Sequence, residues 1–101
     1  MTSDQPLAGI HVLVTGRVQG VGFRHFLKQS ADAAGVAGWV RNRRDGRVEA
    51  VLQGAADAVQ AVLDDLGRGP PAGRVDEVVT RPALGQEVAR ARKPLDVRRD
   101  S

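Results

Sequence analysis

Three glycines and two arginines in segment 16–24 form the feature of this sequence with the clearest chemical meaning. The segment reads Gly16-Arg17-Val18-Gln19-Gly20-Val21-Gly22-Phe23-Arg24. Glycine lets a loop curl tightly, so that consecutive backbone N–H groups converge on one point. A helix that begins directly after such a loop adds unpaired N–H donors and a partial positive charge. This combination predicts an anion cradle, in which Arg24 offers a planar fork to two oxygens of a phosphoryl group.

The glycine spacing of this loop does not match the two best-known nucleotide-binding motifs. It is neither the G-x-x-x-x-G-K-[ST] of nucleoside triphosphate loops nor the dinucleotide fingerprint of a parallel βαβ unit. The alternative to an anion cradle is a glycine-rich turn that only connects a strand to a helix, with Arg24 as a solvated surface charge. The loop residues alone leave both interpretations open.

The composition indicates one small domain that is rich in arginine. The chain has 101 residues, 42% of them apolar, and this suits a single core over 1–101, with 1–7 and 84–94 expected to be flexible. There is no cysteine, which excludes disulfides and thiol nucleophiles. The net charge is +3, and all 15 basic residues except Lys28 and Lys93 are arginines, which favour oxyanions. Without a membrane-length apolar run or a signal pattern, we expect a soluble cytoplasmic protein.

Changes in hydrophobic spacing predict the elements that position the loop. Side chains that alternate between two faces over 11–15 predict a strand. Apolar residues spaced three and four apart from Phe23 onwards predict a helix, which Gly35 terminates. The turn residues Asp45-Gly46 predict that the next two strands form a hairpin. The later predicted elements are strands over 36–42 and 47–53, a helix with the apolar stripe Val59, Val62, Leu63 and Leu66, and a fourth strand over 75–81.

The order β-α-β-β-α-β indicates an α+β fold. It is the pattern of a ferredoxin-like sandwich, in which two helices cover one face of a four-stranded antiparallel sheet. Alternation in the fourth strand predicts that Val75, Glu77 and Val79 share one face. Leu95 and Val97 predict a short fifth strand near the end of the chain.

Two parts of the chain resemble the signatures of the acylphosphatase family. The string G-R-V-Q-G-V-G-F-R resembles the first signature. Two stretches together resemble the second signature: Gly38-Trp39-Val40-Arg41-Asn42 and Asp45-Gly46-Arg47-Val48-Glu49. The first and second signatures lie at the expected separation along the chain. The resemblance extends over about 10–80. It implies a ferredoxin-like fold and hydrolysis of acyl phosphates to a carboxylate and inorganic phosphate, with no metal and no cofactor.

The resemblance also implies roles for individual residues. Arg24 and Asn42 match the catalytic pair of the family, with Arg24 holding the phosphate and Asn42 orienting the attacking water. Phosphate-binding backbone amides are expected from Arg17, Val18, Gln19, Gly20, Val21 and Gly22. An acyl phosphate loses its carboxylate without protonation, so a guanidinium and aligned amides are sufficient for the chemistry. Without the resemblance, Asn42 would be interpreted as a turn-favouring residue at a strand end.

The other residues with reactive or aromatic side chains are expected to be structural or solvated. His25 follows Arg24 at about 100° around the helix, so we expect it on the surface. His11 has no carboxylate, histidine or cysteine at ligand spacing, which disfavours a metal site. Trp39 is expected to pack within the sheet. Four arginines near the hairpin either steer anions or keep the sheet edge soluble: Arg41, Arg43, Arg44 and Arg47.

Two other functions are compatible with part of this pattern, one because it uses the same topology and one because it binds the same anion. RNA-recognition motifs have the same strand order but stack bases on aromatics of the two central strands, and 10–15 and 47–53 contain no aromatic residue. A regulatory domain that binds phosphate without turnover needs the same binding residues, so Asn42 is the residue that separates it from an enzyme. We predict a monomeric enzyme that acts on a small acyl phosphate and binds neither nucleic acid nor membranes.

Overall fold

A five-stranded sheet forms the centre of the computed structural model, which describes residues 7–100. The strands lie in the order β4-β1-β3-β2-β5. The elements are β1 (Leu7–Arg17), α1 (Phe23–Ala34), β2 (Ala37–Asn42), β3 (Val48–Ala55), α2 (Ala56–Arg68), β4 (Arg74–Pro82), α3 (Gly85–Val88) and β5 (Asp96–Val97). The predicted ferredoxin-like order of four antiparallel strands and two helices is therefore confirmed. Residues 1–6, part of the predicted flexible segment 1–7, lie outside the described residues.

One face of the sheet packs against α1 and α2 to form the core. The apolar stripes of the two helices bury Phe23, Leu27 and Ala31 from α1 and Val59, Val62 and Leu66 from α2. The sheet contributes Val12, Val14, Val40, Val48, Ala50 and Leu52 to the same cluster. None of the helices in the described part of the chain is long and apolar enough to cross a membrane.

The predicted alternation in β4 is wrong, because the strand contains a bulge. The register against β1 shifts between Thr15, which pairs with Glu77, and Gly16, which pairs with Val75. The extra residue between those partners reverses the alternation, so Val75 and Val78 both pack against the core. Gly16 has φ +137°, and a Cβ there would lie 2.2 Å from the Arg74 carbonyl oxygen. Glycine at this position therefore permits the bulge that leads the chain into the loop.

The predicted fifth strand is present as β5, which runs parallel to β2. Its two residues pair with Trp39 and Val40, so the end of the chain lies beside the strand that ends at Asn42. Leu95 precedes β5 and is buried in the core. The backbone N–H of Leu95 donates to Asp32 Oδ1 at 2.8 Å, and Lys28 Nζ donates to the Leu95 carbonyl oxygen at 3.1 Å. Helix α1 therefore fixes the approach of the chain to β5.

The second face of the sheet is covered in part by the segment 84–94, which includes α3. Trp39 points to this face, is 3% exposed, and donates its Nε1–H to the Glu87 carbonyl oxygen at 3.0 Å. A bridge between Gly38 and Arg92 joins the same segment to β2. The expected packing role of Trp39 agrees with this burial. The flexibility expected of 84–94 stays a prediction.

Candidate active site

The loop between β1 and α1 presents backbone N–H groups at the start of a helix. Gly20 and Gly22 adopt left-handed φ values of +73° and +79°, which favour glycine. Gly22 is the N-cap residue of α1, and no side chain caps the helix there. Across the described residues, no hydrogen bond of ordinary geometry is donated by the backbone N–H groups of 18–25. These donors are therefore available to an anion.

The hairpin between β2 and β3 holds this loop in place. The side-chain amide of Gln19 donates to the Arg43 carbonyl oxygen at 2.7 Å and to the Arg47 carbonyl oxygen at 2.9 Å. Val18 is buried, and Val21 packs against the core. Residues on both sides of the glycines thus anchor the loop, so its N–H groups are positioned before any ligand arrives.

The two residues predicted to be catalytic border one cleft of about 340 Å³. Arg24 reaches it from the first turn of α1, and Asn42 reaches it from the last residue of β2. We call this the Arg24 cleft; its lining residues are Val18, Gly20, Gly22, Phe23, Arg24, His25, Asn42 and Val97. Three of the six predicted phosphate-binding loop residues are thus among those that line the cleft, whereas Arg17, Gln19 and Val21 are not.

The Asn42 side chain is buried, and its amide is free of hydrogen bonds to the described residues. The residue is only 8% exposed. No hydrogen bond joins its side chain to any other residue within 7–100. No fully enclosed side-chain polar atom in that range lacks a partner, so the Asn42 amide is not fully enclosed, and the residue lines the Arg24 cleft. A confined amide of this kind is suited to orient a small polar molecule.

The Arg24 guanidinium contacts the end of the chain. Its Nη1 donates to Asp100 Oδ1 at 3.0 Å and lies 3.5 Å from the Arg98 carbonyl oxygen. The Asp100 carboxylate thus occupies part of the donor fork that we expect to hold an anion. The sequence gives no signal for Asp100, because 76 residues separate it from Arg24. Only the parallel pairing of β5 with β2 brings the two together.

His25 was expected on the surface, and it is exposed, but it also borders the Arg24 cleft. The first turn of α1 lies at the edge of the cleft, so neighbouring side chains can both border it even when they point in different directions. His25 is therefore a neighbour of Arg24 at the rim of this cleft.

A second polar cluster lies on the opposite face of the sheet, around His11. His11 Nε2–H donates to Glu49 Oε2 at 2.6 Å, and Arg41 Nε–H donates to Glu49 Oε1 at 2.7 Å. Burial raises the pKa of Glu49, but these two hydrogen bonds outweigh it, so the pKa lies below its usual value. Glu87 completes a group whose three ligand atoms lie within 4.8 Å of one another. The expectation that no carboxylate approaches His11 is therefore wrong.

The reason for this error is strand pairing. His11 pairs with Val51, so Glu49 is its diagonal neighbour on the same face of the sheet. Glu87 comes from α3, a short helix that no sequence pattern in 84–94 predicted. Both carboxylates are held by guanidinium groups: Glu49 by Arg41, and Glu87 by two hydrogen bonds of 2.8 Å from Arg81. These pairs oppose the binding of a cation at this cluster.

Comparison with known proteins points to one family. The family model named Acylphosphatase matches residues 10–90. An acylphosphatase of Bordetella parapertussis is 51% identical over 78 residues, which cover 77% of this chain and 83% of that protein. An acylphosphatase structure from Coxiella burnetii superposes with a TM-score of 0.81 at 30% identity, covering 96% of this chain and all of that one. The crystal structure of acylphosphatase from Bacillus subtilis superposes at 0.71 with 35% identity, covering 94% and 97%.

Proposed function

The chain belongs to the acylphosphatase family and is therefore an enzyme that hydrolyses acyl phosphates, and we propose that the Arg24 cleft is where it does so. In this proposal the loop amides and Arg24 hold the phosphoryl group, and Asn42 positions the water. The strongest support is that the buried amide of Asn42, which has no hydrogen-bond partner within 7–100, borders the same cleft as Arg24. A guanidinium alone would account only for binding.

Charge stabilisation is the part of the reaction assigned to the loop and to Arg24. A phosphoryl group bears its negative charge on oxygens that spread outwards during transfer. The free N–H groups at the start of α1 and the planar guanidinium of Arg24 can donate to those oxygens from two directions. Because the loop is anchored through Gln19, these donors need little rearrangement as charge develops.

Water positioning is the part assigned to Asn42. Its amide oxygen accepts a hydrogen bond from the attacking water, whose oxygen forms the new bond to phosphorus. The bond between phosphorus and the acyl oxygen breaks, and the carboxylate leaves with the electron pair. The proton lost by the water goes to the phosphate product or to solvent. A carboxylate is a good enough leaving group that no general acid is needed.

The two rival functions differ from this proposal at observable points. A regulatory phosphate sensor would need the loop and Arg24 but not a free amide at Asn42. An RNA-binding module would expose aromatic rings on β1 and β3, whereas Trp39 lies on β2 and is 3% exposed. We propose in addition that the chain acts as a cytoplasmic monomer on a small acyl phosphate, without binding nucleic acid.

A metal-free assay tests the proposed function directly. Purified protein is expected to hydrolyse benzoyl phosphate at the same rate with and without excess chelator, because the proposed contacts use only the chain's own donors. Inorganic phosphate is expected to inhibit competitively, since it occupies the same cradle. Loss of activity in chelator would refute the metal-independent mechanism, and absence of any turnover would favour the sensor.

The contact between Asp100 and Arg24 yields a separate prediction. Because the carboxylate competes with phosphate for the same guanidinium, Asp100→Asn is expected to lower the inhibition constant of phosphate by up to about fivefold, the size of an exposed ion pair. Asp96→Asn is the matched control, since it removes the charge of an exposed carboxylate on β5. Weaker phosphate binding in Asp100→Asn would show instead that the carboxylate orients Arg24 for its substrate.

A further inference from the structure

A pocket of about 370 Å³ lies at Trp39, on the sheet face opposite α1 and α2. We call it the Trp39 pocket; its lining residues are Trp39, Arg41, Glu49, Gln86, Glu87, Arg90 and Arg98. They come from β2, β3, α3 and the chain segments that follow α3 and β5. Nothing in the proposed reaction uses this pocket.

Three guanidinium groups converge there. The Cζ atoms of Arg41 and Arg98 lie 5.5 Å and 5.0 Å from the centroid of the Trp39 ring, and Arg90 joins them from beyond α3. Within the described range, neither Arg90 nor Arg98 forms an ion pair with a carboxylate. Like charges gathered in one pocket repel one another, and an anion between them would relieve that repulsion.

The two carboxylates of the pocket already have partners, one of which is Arg41 itself, so they do not neutralise Arg90 or Arg98. Glu49 accepts hydrogen bonds from His11 and Arg41. Glu87 accepts two from Arg81 and one from the Leu84 backbone N–H at 2.7 Å, and the Arg81 contacts lower its pKa to about 2. Arg90 and Arg98 are therefore the groups left to attract a ligand.

We propose that the Trp39 pocket binds a phosphate group, as inorganic phosphate or a phosphate monoester, through the guanidinium groups of Arg90 and Arg98. A phosphate dianion matches in charge the two guanidinium groups that form no ion pair within 7–100, and its oxygens accept from planar forks that approach from different parts of the chain. A carboxylate, with one charge and two oxygens, satisfies this arrangement less well. The proposal depends on contacts separate from those of the proposed reaction.

The pocket and the Arg24 cleft lie on opposite faces of the same two strands. Consecutive residues of a strand point to opposite faces, so β2 supplies Asn42 to the cleft and Arg41 to the pocket. In the same way, Val97 borders the cleft and Arg98 borders the pocket. Because the two sites share strands but not side chains, each can be disabled without removing the other.

Trp39 makes this proposal measurable, because it is the only tryptophan in the chain. Titration of Arg24→Gln with inorganic phosphate is expected to change Trp39 fluorescence saturably, with a dissociation constant of about 1 mM for two charge-assisted contacts. Glycerol 3-phosphate and acetate form two further arms, and acetate should bind at least about tenfold more weakly. Tighter binding of inorganic phosphate would identify the free ion as the ligand, and tighter binding of glycerol 3-phosphate would identify a phosphate monoester.

Three variants in the Arg24→Gln background complete the test. Arg90→Gln and Arg98→Gln should each weaken phosphate binding at least about tenfold. Arg90→Gln is the decisive one, because Arg98 also contacts the fluorescent ring. Arg92→Gln is the matched control, since the partners of that exposed guanidinium among the described residues are the Ala89 and Ala91 carbonyl oxygens. Unchanged affinity in Arg90→Gln, or a signal present in the wild type but lost in Arg24→Gln alone, would overturn the proposal.

Discussion

Arg24→Gln is expected to lower kcat/KM by about 10³-fold, which is the effect of removing a guanidinium that stabilises phosphoryl-transfer charge. The guanidinium is expected to contact the phosphoryl group both before and during transfer. The substitution should therefore raise KM and the inhibition constant of phosphate as well as lower kcat. Steady-state kinetics with benzoyl phosphate, with phosphate as the inhibitor, measure all three quantities.

Lys93→Gln provides a matched control for Arg24→Gln. It removes one positive charge near Gly35, beyond the other end of α1, and so tests whether net charge alone accounts for the loss. We expect kcat/KM to stay within about twofold of the wild type, because an exposed distant charge is screened by salt. If Arg24→Gln bound phosphate as tightly as the wild type, Arg24 would not be the phosphate-holding residue.

Asn42→Ala is expected to lower kcat by about 10²-fold, as found when one polar group that acts in a transition state is removed. Phosphate should still bind with an inhibition constant within about twofold of the wild type, because the loop and Arg24 are intact. This separation between turnover and binding distinguishes a water-positioning residue from a phosphate ligand.

Gln60→Ala is the control for Asn42→Ala, since it also removes a side-chain amide. Gln60 is exposed on α2 and bonds to Asp64 Oδ1, outside the Arg24 cleft. Its loss should leave kcat unchanged. Thermal unfolding of both variants checks that the cleft is intact. Wild-type kcat in Asn42→Ala would refute the role of the residue in catalysis.

Local patterns were sufficient to predict the parts of this protein that depend on neighbouring residues. The glycines of the loop, the apolar stripe that starts at Phe23 and the Asp45-Gly46 turn each fix their own backbone geometry, so the βαββαβ order followed from them. Arg24 could be placed at the start of a helix for the same reason. The family signatures then paired it with Asn42, and the structure brings both to one cleft.

Features that depend on contacts between distant residues were missed. The bulge opposite Gly16 reverses the faces of β4, and no local signal in 75–81 indicates it, because its cause lies in the pairing with β1. The bond between His11 and Glu49 depends on strand register. Asp100 reaches Arg24 only because β5 adds to the edge of β2. Each of these requires knowing which strands are neighbours.

The contact between Asp100 and Arg24 affects how affinities for this enzyme should be interpreted. A carboxylate attached to the same chain acts at a fixed local concentration, which dilution of the protein does not reduce. With Arg24 in its proposed role, substrate binds fully only to the molecules whose guanidinium is released, so the measured dissociation constant is the intrinsic one divided by that fraction. The intrinsic affinity of the cradle for substrate is then higher than KM indicates. The enzyme also responds to changes in substrate over a higher range of concentrations.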